Sequence, residues 1–401
     1  MDQSSARSAL AVDPLDPVAL TQALIRCPSV TPEEGGALAL LETVLAAEGY
    51  RVERPVFGGP DEPAVENLYA RIGTEGPVFV IAGHTDVVPV GDEAAWTRPP
   101  FGAQIEGGLL YGRGACDMKS GLAAMIAAAL RFRRENPQAP GSIAFLVTGD
   151  EEGPAVNGTV KLLEWAHERG ERFDHCLLGE PTNPAAMGDM IKIGRRGSLT
   201  GHLTVHGIQG HVGYPHLADN PIRGMVRLLA ALDATPLDTG TVHFDPSNLE
   251  VTTLDVGNPA TNVVPAQAKA VFNIRFNDIW TPETLAAEID RRLREAAGNR
   301  VRYELAVQPT NSVAFLTQPG PFVAMLSDAV EAETGTRPAL STTGGTSDAR
   351  FIKNYCPVVE YGVVGKTMHQ VDESVAIGDI LTLERITHRL LARYFAVQQE
   401  A

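Results

Sequence analysis

The sequence predicts an α/β protein: a mostly parallel sheet, covered by helices on both faces, is interrupted by an inserted α+β domain. Strand-like and helix-like segments alternate along the first half of the chain, and residues that can bind metals recur just after predicted strands. The pattern changes from about Gly197 and returns after Asn311. Since 401 residues exceed what one hydrophobic core usually organises, we expect two domains, residues 1–196 with 311–401 and residues 197–310.

The first half of the chain predicts helices and buried strands in turn. Asp16-Pro17 is typical of a helix start, and Thr31-Pro32-Glu33-Glu34 resembles a capping box that leads into a helix over 37–47. Short β-type runs then predict strands with helices between them, and the continuous apolar run at 77–82 is typical of a strand buried on both faces. The predicted strands are 67–72, 77–82, 142–148 and 175–178, and the predicted helices are 121–132 and 157–169.

The inserted domain is predicted from alternating polar and apolar residues, the pattern of an antiparallel sheet with one covered face. Its expected strands are 198–205, 250–256 and 267–276, and its expected helices are 221–232 and 282–296. The first pattern then returns, with a helix over 322–334, a strand over 357–361 and a closing helix over 377–396.

Composition excludes several classes of function. A net charge of -16 argues against nucleic-acid binding, which depends on clustered Lys and Arg. The four cysteines lie far apart, which is typical of a reduced compartment. The chain begins without the apolar core of a signal sequence, and its longest apolar stretch, 122–130, is too short to span a bilayer. We therefore expect a cytoplasmic protein with no membrane or nucleic-acid partner.

One predicted strand end and one turn carry candidate metal ligands. His84 and Asp86 alternate on a strand end, so the carboxylate could orient the imidazole by accepting its second N–H. A hydrogen-bonded pair without a metal is an equal alternative. Asp117 lies in a Gly-rich turn that lacks the Gly-Lys-Ser/Thr of a phosphate loop, and an acidic residue there would repel phosphate. Its two oxygens could instead each hold one ion of a pair.

The remaining candidates are a carboxylate pair, a turn carboxylate and a histidine. Adjacent Glu151 and Glu152 would destabilise each other unless cations or protons intervene, although a solvated acidic turn is the simpler alternative. Glu152 could bind metal while Glu151 acts as a general base on a metal-activated water. Taken singly, Glu180 is typical of an ordinary turn and His369 of a surface or packed histidine. Two histidines with several carboxylates suit ions such as zinc.

Together these motifs resemble the aminoacylase/carboxypeptidase family of co-catalytic zinc hydrolases. The resembling segments are His-Thr-Asp-Val-Val-Pro at 84–89, Gly-Arg-Gly-Ala-Cys-Asp-Met-Lys at 112–119, Gly-Asp-Glu-Glu at 149–152, Gly-Glu-Pro-Thr at 179–182 and Met-His at 368–369. The resemblance implies two zinc ions per subunit, for which cobalt could substitute. It assigns one ion to His84, Asp117 and Glu180, and the other to Asp117, Glu152 and His369. It makes Asp86 the residue that orients His84, and Glu151 the general base.

Further segments are similar to the desuccinylases of that family, at 194–198, 210–216, 261–265, 273–276 and 341–348. This likeness implies a small, anionic N-acyl amino acid as substrate and a homodimer formed through the inserted domain, with His211 reaching the active site of a partner subunit. The implied substrate contacts are Arg195, Ser198, Tyr214, Asn262, Arg275, Gly345 and Thr346. One position departs from the likeness: Gly365 stands where some desuccinylases have Asn, so backbone groups or Lys366 would replace that contact.

The arginines of these segments are consistent with an anionic substrate, because Arg binds carboxylates with two hydrogen bonds. Arg195, Arg196 and Arg275 are candidate counter-charges in this acidic chain, with structural ion pairing as the alternative, favoured for Arg196. His211 could stabilise a tetrahedral oxyanion. Two other functions stay open: a related deacylase, for instance one acting on acetylornithine, and a catalytically silent metal-binding or peptide-binding module. Glu151, which has no duty as a ligand, argues against the silent module.

Overall fold

A computed structural model describes residues 12–60 and 62–400, with the side chains of 397–400 left out. The chain divides into two compact units. The main unit contains the described residues up to Ile193, Thr317–Ser341 and those from Ser347 onward; the inserted unit contains Gly194–Leu316 and Thr342–Thr346.

The helices of the described residues, in chain order, are α1 (Pro17–Ile25), α2 (Ala37–Ala47), α3 (Ser120–Glu135), α4 (Thr159–Glu168), α5 (Pro221–Asp233), α6 (Pro282–Ala297), α7 (Pro321–Thr334), α8 (Ala349–Ile352) and α9 (Ile377–Glu400). The strands are β1 (Arg51–Glu53), β2 (Val56–Gly59), β3 (Glu62–Ile72), β4 (Val78–His84), β5 (Gln104–Glu106), β6 (Leu109–Tyr111), β7 (Ser142–Thr148), β8 (His175–Leu178), β9 (Met190–Lys192), β10 (Gly194–Arg195), β11 (Gly197–His206), β12 (Gly210–His211), β13 (Asn248–Asp255), β14 (Val263–Val264), β15 (Gln267–Phe276), β16 (Arg302–Val307), β17 (Phe315–Leu316), β18 (Ala339–Ser341), β19 (Val358–Glu360) and β20 (Ser374–Ala376).

The main unit is built on a nine-stranded sheet with the order β1-β3-β7-β4-β8-β19-β9-β18, in which β2 also pairs with β3. Its centre is parallel, because β4 pairs in parallel with both β7 and β8, and β8 with β19. The outer strands β1 and β3 pair antiparallel. The predicted mostly parallel α/β fold is therefore confirmed.

Burial explains why the central strands are apolar throughout. Every residue of β4 and β7 is buried, as expected for strands covered by helices on both faces. Residues from Ser120 to Leu130 of α3 are buried as well, and α3 packs against α9 and α1. Since β4, β7 and β8 run parallel, their carboxyl ends meet at one edge, where the polar segments after each strand come together.

The predicted capping box at Thr31 is wrong. The helix α2 begins at Ala37. Its N-cap residue is Gly36, which has a φ of 93° and no side chain to cap the helix. Val30 instead forms an isolated parallel bridge with Val87, and Thr31 begins a turn in which the Glu33 N–H donates to the Val30 carbonyl at 2.9 Å. Glu34 still serves the helix, since its Oε2 accepts the Leu38 N–H at 2.9 Å.

The inserted unit is an antiparallel four-stranded sheet with the order β13-β15-β11-β16. In β15 every second residue is buried, and these residues join α5 and α6 in one hydrophobic core. The unit is larger than the predicted 197–310. Residues 194 and 195 belong to it because β10 pairs with β17, and residues 342–346 because the Thr342 hydroxyl donates to the His243 carbonyl at 2.6 Å.

Among the helices of the described residues, none combines the length and apolar character needed to cross a membrane. The expectation about a signal sequence concerns residues 1–11, which lie outside the described part of the chain.

Candidate active site

His84 ends the buried strand β4 and is 1% exposed. Its Nδ1 lies 2.9 Å from the backbone oxygen of Asp86, so Nδ1 carries an N–H that donates there. Its Nε2 lies toward two carboxylates, 3.3 Å from Asp117 Oδ1 and 4.0 Å from Glu180 Oε1. A histidine fixed in this tautomer is prepared to bind a cation through Nε2.

Asp86 orients His84 through its backbone rather than through its carboxylate, which differs from the sequence-based expectation. The carboxylate oxygen lies 3.6 Å from His84 Nδ1. The Asp86 oxygens instead accept the backbone N–H groups of Glu151 at 3.2 Å and Glu152 at 2.9 Å. Burial raises the pKa of Asp86 to about 6, although His84 and these N–H groups act to lower it. Asp86 therefore fixes the segment after β7 to the end of β4.

Asp117 lies between two imidazoles. Its Oδ1 is 3.3 Å from His84 Nε2, and its Oδ2 is 3.3 Å from His369 Nε2. Burial acts to raise the pKa of this carboxyl, but the bonds from His369 and His84 outweigh it and the pKa is lowered. A carboxylate that directs each oxygen at a different histidine has the geometry of a bridging ligand.

Glu152 and His369 complete the outer side of this cluster, with Glu152 Oε1 2.8 Å from His369 Nε2. His369 has a φ of 61°, an uncommon backbone conformation for a residue other than glycine, and its side chain is 45% exposed. Asp117 and Glu152 raise the pKa of His369 to about 10. Such conformations concentrate at functional sites, because the surrounding structure must maintain them.

Glu151 and Glu180 crowd the inner side. Ligand atoms of His84, Glu151 and Glu180 lie within 4.8 Å of one another, as do those of His84, Asp117 and Glu152. Burial, and then the charge of Glu180, raise the pKa of Glu151 well above its ordinary value. Carboxylates this close destabilise each other unless cations intervene. The main unit thus brings together its predicted site residues, which are His84, Asp86, Asp117, Glu151, Glu152, Glu180 and His369.

Sequence reasoning missed the buried pair Arg113 and Glu373. Arg113 Nη1 donates to Glu373 Oε2 at 2.8 Å. The same carboxylate accepts the backbone N–H of Asp117 at 3.2 Å. Arg113 lies within the motif that carries Asp117, and Glu373 follows shortly after His369, but a charged residue gives no signal in sequence of the partner it finds.

Five of the predicted substrate residues lie near one face of the inserted sheet or at its edge. Ser198 and Arg275 are opposite each other on β11 and β15, on the face away from the hydrophobic core. Arg195 Nη1 donates to the Gly345 carbonyl at 3.2 Å, next to Thr346. Burial, and then the charge of Arg196, lower the pKa of Arg275. Arg196 itself donates to the Asn248 side-chain oxygen at 3.0 Å, which is not the ion pair expected for it.

His211, Tyr214 and Asn262 form a second group in the inserted unit. The strands β12 and β14 pair here, and the Val212 N–H donates to the Asn262 carbonyl at 3.1 Å. The rings of His211 and Tyr214 lie 5.6 Å apart, and both residues are exposed. His211 Nδ1 accepts the Gly213 N–H at 3.0 Å, so the neutral ring carries its proton on Nε2, free to donate outward.

Comparisons with known proteins agree with this geometry. Residues 80–393 match the model of peptidase family M20/M25/M40. A succinyl-diaminopimelate desuccinylase of Methylobacterium nodulans is 69% identical over 94% of this chain and 96% of that protein. Aminopeptidase PepT of Bacillus cereus is similar in fold, with a TM-score of 0.75 and 18% identity over 95% of this chain and 99% of that chain.

A second solved structure of similar fold is that of a metal-binding protein. The YXEP protein of Bacillus subtilis, described as a dinuclear metal-binding peptidase of the M20 family, has a TM-score of 0.68 and 16% identity over 95% of this chain and 98% of that chain. With the ligand cluster of the main unit, the family match supports the use of metal by this chain.

Proposed function

Because the chain belongs to peptidase family M20/M25/M40, we propose that it hydrolyses N-succinyl-LL-2,6-diaminopimelate to LL-2,6-diaminopimelate and succinate. The resemblance predicted from the motifs is confirmed by the family match and by the 69% identical desuccinylase, which this chain matches over 94% of its length. That relative supplies the substrate in our proposal, and the ligand cluster supplies the chemistry.

The donor set fits two divalent cations. We assign one to His84, Asp117 and Glu180, and the other to Asp117, Glu152 and His369, with zinc as the ion and cobalt as a substitute. The observation that carries the proposal is that the two oxygens of Asp117 face different histidines, each at 3.3 Å. When bound, such ions lower the pKa of a shared water and polarise a carbonyl.

Glu151 is the proposed general base. It follows β7 beside Glu152, and Asp86 holds its backbone N–H at 3.2 Å, so its carboxylate is kept at the ligand cluster without being needed as a ligand. In the proposed reaction Glu151 accepts a proton from the water that attacks the succinyl carbonyl carbon. It returns that proton to the amine nitrogen as the C–N bond breaks.

The inserted unit is proposed to recognise the anionic substrate. Arg275 lies half-buried beside the like charge of Arg196, an arrangement that a substrate carboxylate would relieve. Arg195, Ser198, Tyr214, Asn262, Gly345 and Thr346 are the other proposed contacts. The Nε2 proton of His211, acting from a partner subunit, is proposed to stabilise the oxyanion.

We propose a homodimer through the inserted unit, and exposed apolar groups on two of its elements support this. The edge strand β13 exposes Val251 and Leu254, at 43% and 55%. The helix α5 exposes Ile222 and Val226, at 38% and 60%. Exposed strand edges and contiguous apolar surface are typical of surfaces that pair with another chain. We also propose that the enzyme acts in the cytoplasm, where its four free cysteines would remain reduced.

The experiment is a zinc-saturated assay on succinyl-diaminopimelate with native enzyme, Glu151→Gln and Glu152→Gln. We expect Glu151→Gln to lose turnover while it keeps its zinc, because only the base is removed. Glu152→Gln should lose zinc as well. Loss of zinc from Glu151→Gln would mean that base and ligand have been confused, and faster turnover of acetylornithine by the native enzyme would contradict the substrate.

A further inference from the structure

A buried ion pair supports the ligand cluster of the main unit. Arg113 and Glu373 are 3% and 0% exposed. Removing two charges from water costs several kcal/mol, and apolar residues of similar volume are often equally stable. Stability alone is therefore a poor account of this pair, and its other hydrogen bonds show what it positions.

Glu373 holds the turn that carries Asp117. Its Oε2 accepts the Arg113 guanidinium at 2.8 Å and the Gly114 N–H at 3.0 Å. Its Oε1 accepts the N–H groups of Cys116 at 3.0 Å and Asp117 at 3.2 Å. Both oxygens are occupied by donors, so an amide in place of the carboxylate would direct its own N–H groups at one of these pairs.

Arg113 reaches the segment that carries His369. Its Nη1 donates to the Gln370 carbonyl at 3.2 Å, and its Nη2 lies 3.5 Å from the carbonyls of His369 and Pro89. The planar guanidinium can serve these acceptors together, which the single nitrogen of a lysine cannot. These bonds therefore hold the backbone at His369, which has a left-handed φ of 61°.

We propose that Arg113 and Glu373 are positioning residues that set the separation between Asp117 and His369, and so the affinity of the cation site that these two form with Glu152. The inference rests on the proposed function, since it assumes that the cluster binds cations. It predicts that the two cation sites differ in degree. Both share Asp117, but only one includes His369, whose segment Arg113 contacts, whereas His84 ends a buried strand.

The test is a calorimetric titration of zinc into the metal-depleted protein, with native enzyme, Arg113→Lys and Glu373→Gln. Removing a residue that orients a ligand typically weakens metal binding about 10- to 100-fold. We expect that loss in one of the two zinc-binding steps, that of the site formed by Asp117, Glu152 and His369, with a much smaller change in the other step. Excess zinc should then restore most of kcat, with little change in KM.

Arg131 and Glu384 provide the matched control. Arg131 Nε lies 2.7 Å from Glu384 Oε1, and this pair joins α3 to α9. Arg131→Lys and Glu384→Gln should lower the melting temperature without changing either zinc affinity. Melting curves show whether each variant folds; if Glu373→Gln does not, the titration of Arg113→Lys decides alone.

The outcomes separate the two proposals. A native protein that binds fewer than two zinc ions would overturn the dizinc function itself. A native protein that binds two, with a folded Arg113→Lys that binds both as tightly, would overturn the positioning role and leave the proposed function intact.

Discussion

The two units expose their polar groups in different ways. The main unit has a sheet covered on both faces, so charged side chains gather at the carboxyl edge of its parallel strands, where His84 is only 1% exposed. The inserted unit has an antiparallel sheet with one covered face, and its predicted binding residues lie on the open face or in the exposed group next to β12 and β14, where Tyr214 is 58% exposed.

In the proposed function, the two units therefore have different roles: the main unit carries the catalytic groups, and the inserted unit binds the substrate. Groups that must act on a reacting atom need a fixed geometry and little water, which buried strand ends provide. Groups that recognise a flexible, charged substrate can lie on an open surface. Substitutions in the main unit should therefore lower kcat, and substitutions in the inserted unit should mainly raise KM, with His211 as the exception.

The largest effect is expected for Asp117→Asn. An amide offers one acceptor oxygen, so it cannot face both His84 and His369 as the carboxylate does. Losing several kcal/mol of charge stabilisation lowers kcat by about 10³-fold or more. Metal analysis should show at most one tightly bound zinc. Two tightly bound zinc ions and near-native kcat would refute the bridging role.

His211→Ala should lower kcat by about 10²- to 10³-fold, the usual cost of losing one oxyanion donor, with KM nearly unchanged. Its action across a dimer is tested by mixing with Glu151→Gln. Each variant is inactive alone, but heterodimers would contain one intact site, so equal mixing should restore about a quarter of native activity. No recovery after confirmed subunit exchange would place His211 in its own subunit's site.

Arg275→Met should raise KM for the succinyl substrate by about 10- to 100-fold, because a hydrogen bond between charged groups is worth about 1.5–3 kcal/mol. The reference is Arg196→Met, which removes an equal charge from a guanidinium that binds Asn248. Steady-state kinetics with both variants separates a specific contact from a general loss of positive charge. Equal effects would show that only net charge matters.

Much of the main unit can be predicted from sequence, because the pattern of each strand by itself indicates how that strand is buried and where its next residues lie. A fully apolar strand must be covered on both faces. The residues that follow a parallel strand lie at the carboxyl edge of the sheet, where ligands bind. His84, Glu152 and Glu180 each follow or end such a strand, so their convergence could be predicted before any coordinates.

Other features depend on long-range packing, which local pattern cannot supply. His84 bonds to the backbone oxygen of Asp86 and not to its carboxylate, because the carboxylate accepts the N–H groups of residues 151 and 152. Arg113 and Glu373 are 260 positions apart in sequence, and residues 342–346 join the inserted unit although its other residues end at Leu316. Nothing in a single sequence states which distant groups will meet.

The smallest effect is expected on the free energy of unfolding, from a substitution of Asp238 in the inserted unit. Asp238 Oδ1 accepts the N–H groups of Gly240 at 2.9 Å and Ser247 at 3.1 Å, and Oδ2 accepts the Trp280 indole N–H at 2.8 Å. Burial acts to raise the pKa of Asp238, but these bonds outweigh it and the pKa is lowered. Asp238→Asn should therefore cost about 1–3 kcal/mol at neutral pH, through an unfavourable donor–donor contact.

The pH dependence of that cost fixes its origin. A carboxyl whose pKa is lower in the folded than in the unfolded state stabilises the fold above its unfolded pKa of about 3.9. That contribution is lost as the pH falls through the folded pKa. Hydrogen exchange of the inserted unit should show a constant penalty for Asp238→Asn from pH 8 to about 5, narrowing only in stronger acid. Exposed Asp255→Asn controls for charge. A penalty that is unchanged in acid would mean that Asp238 contributes by shape and not by ionisation.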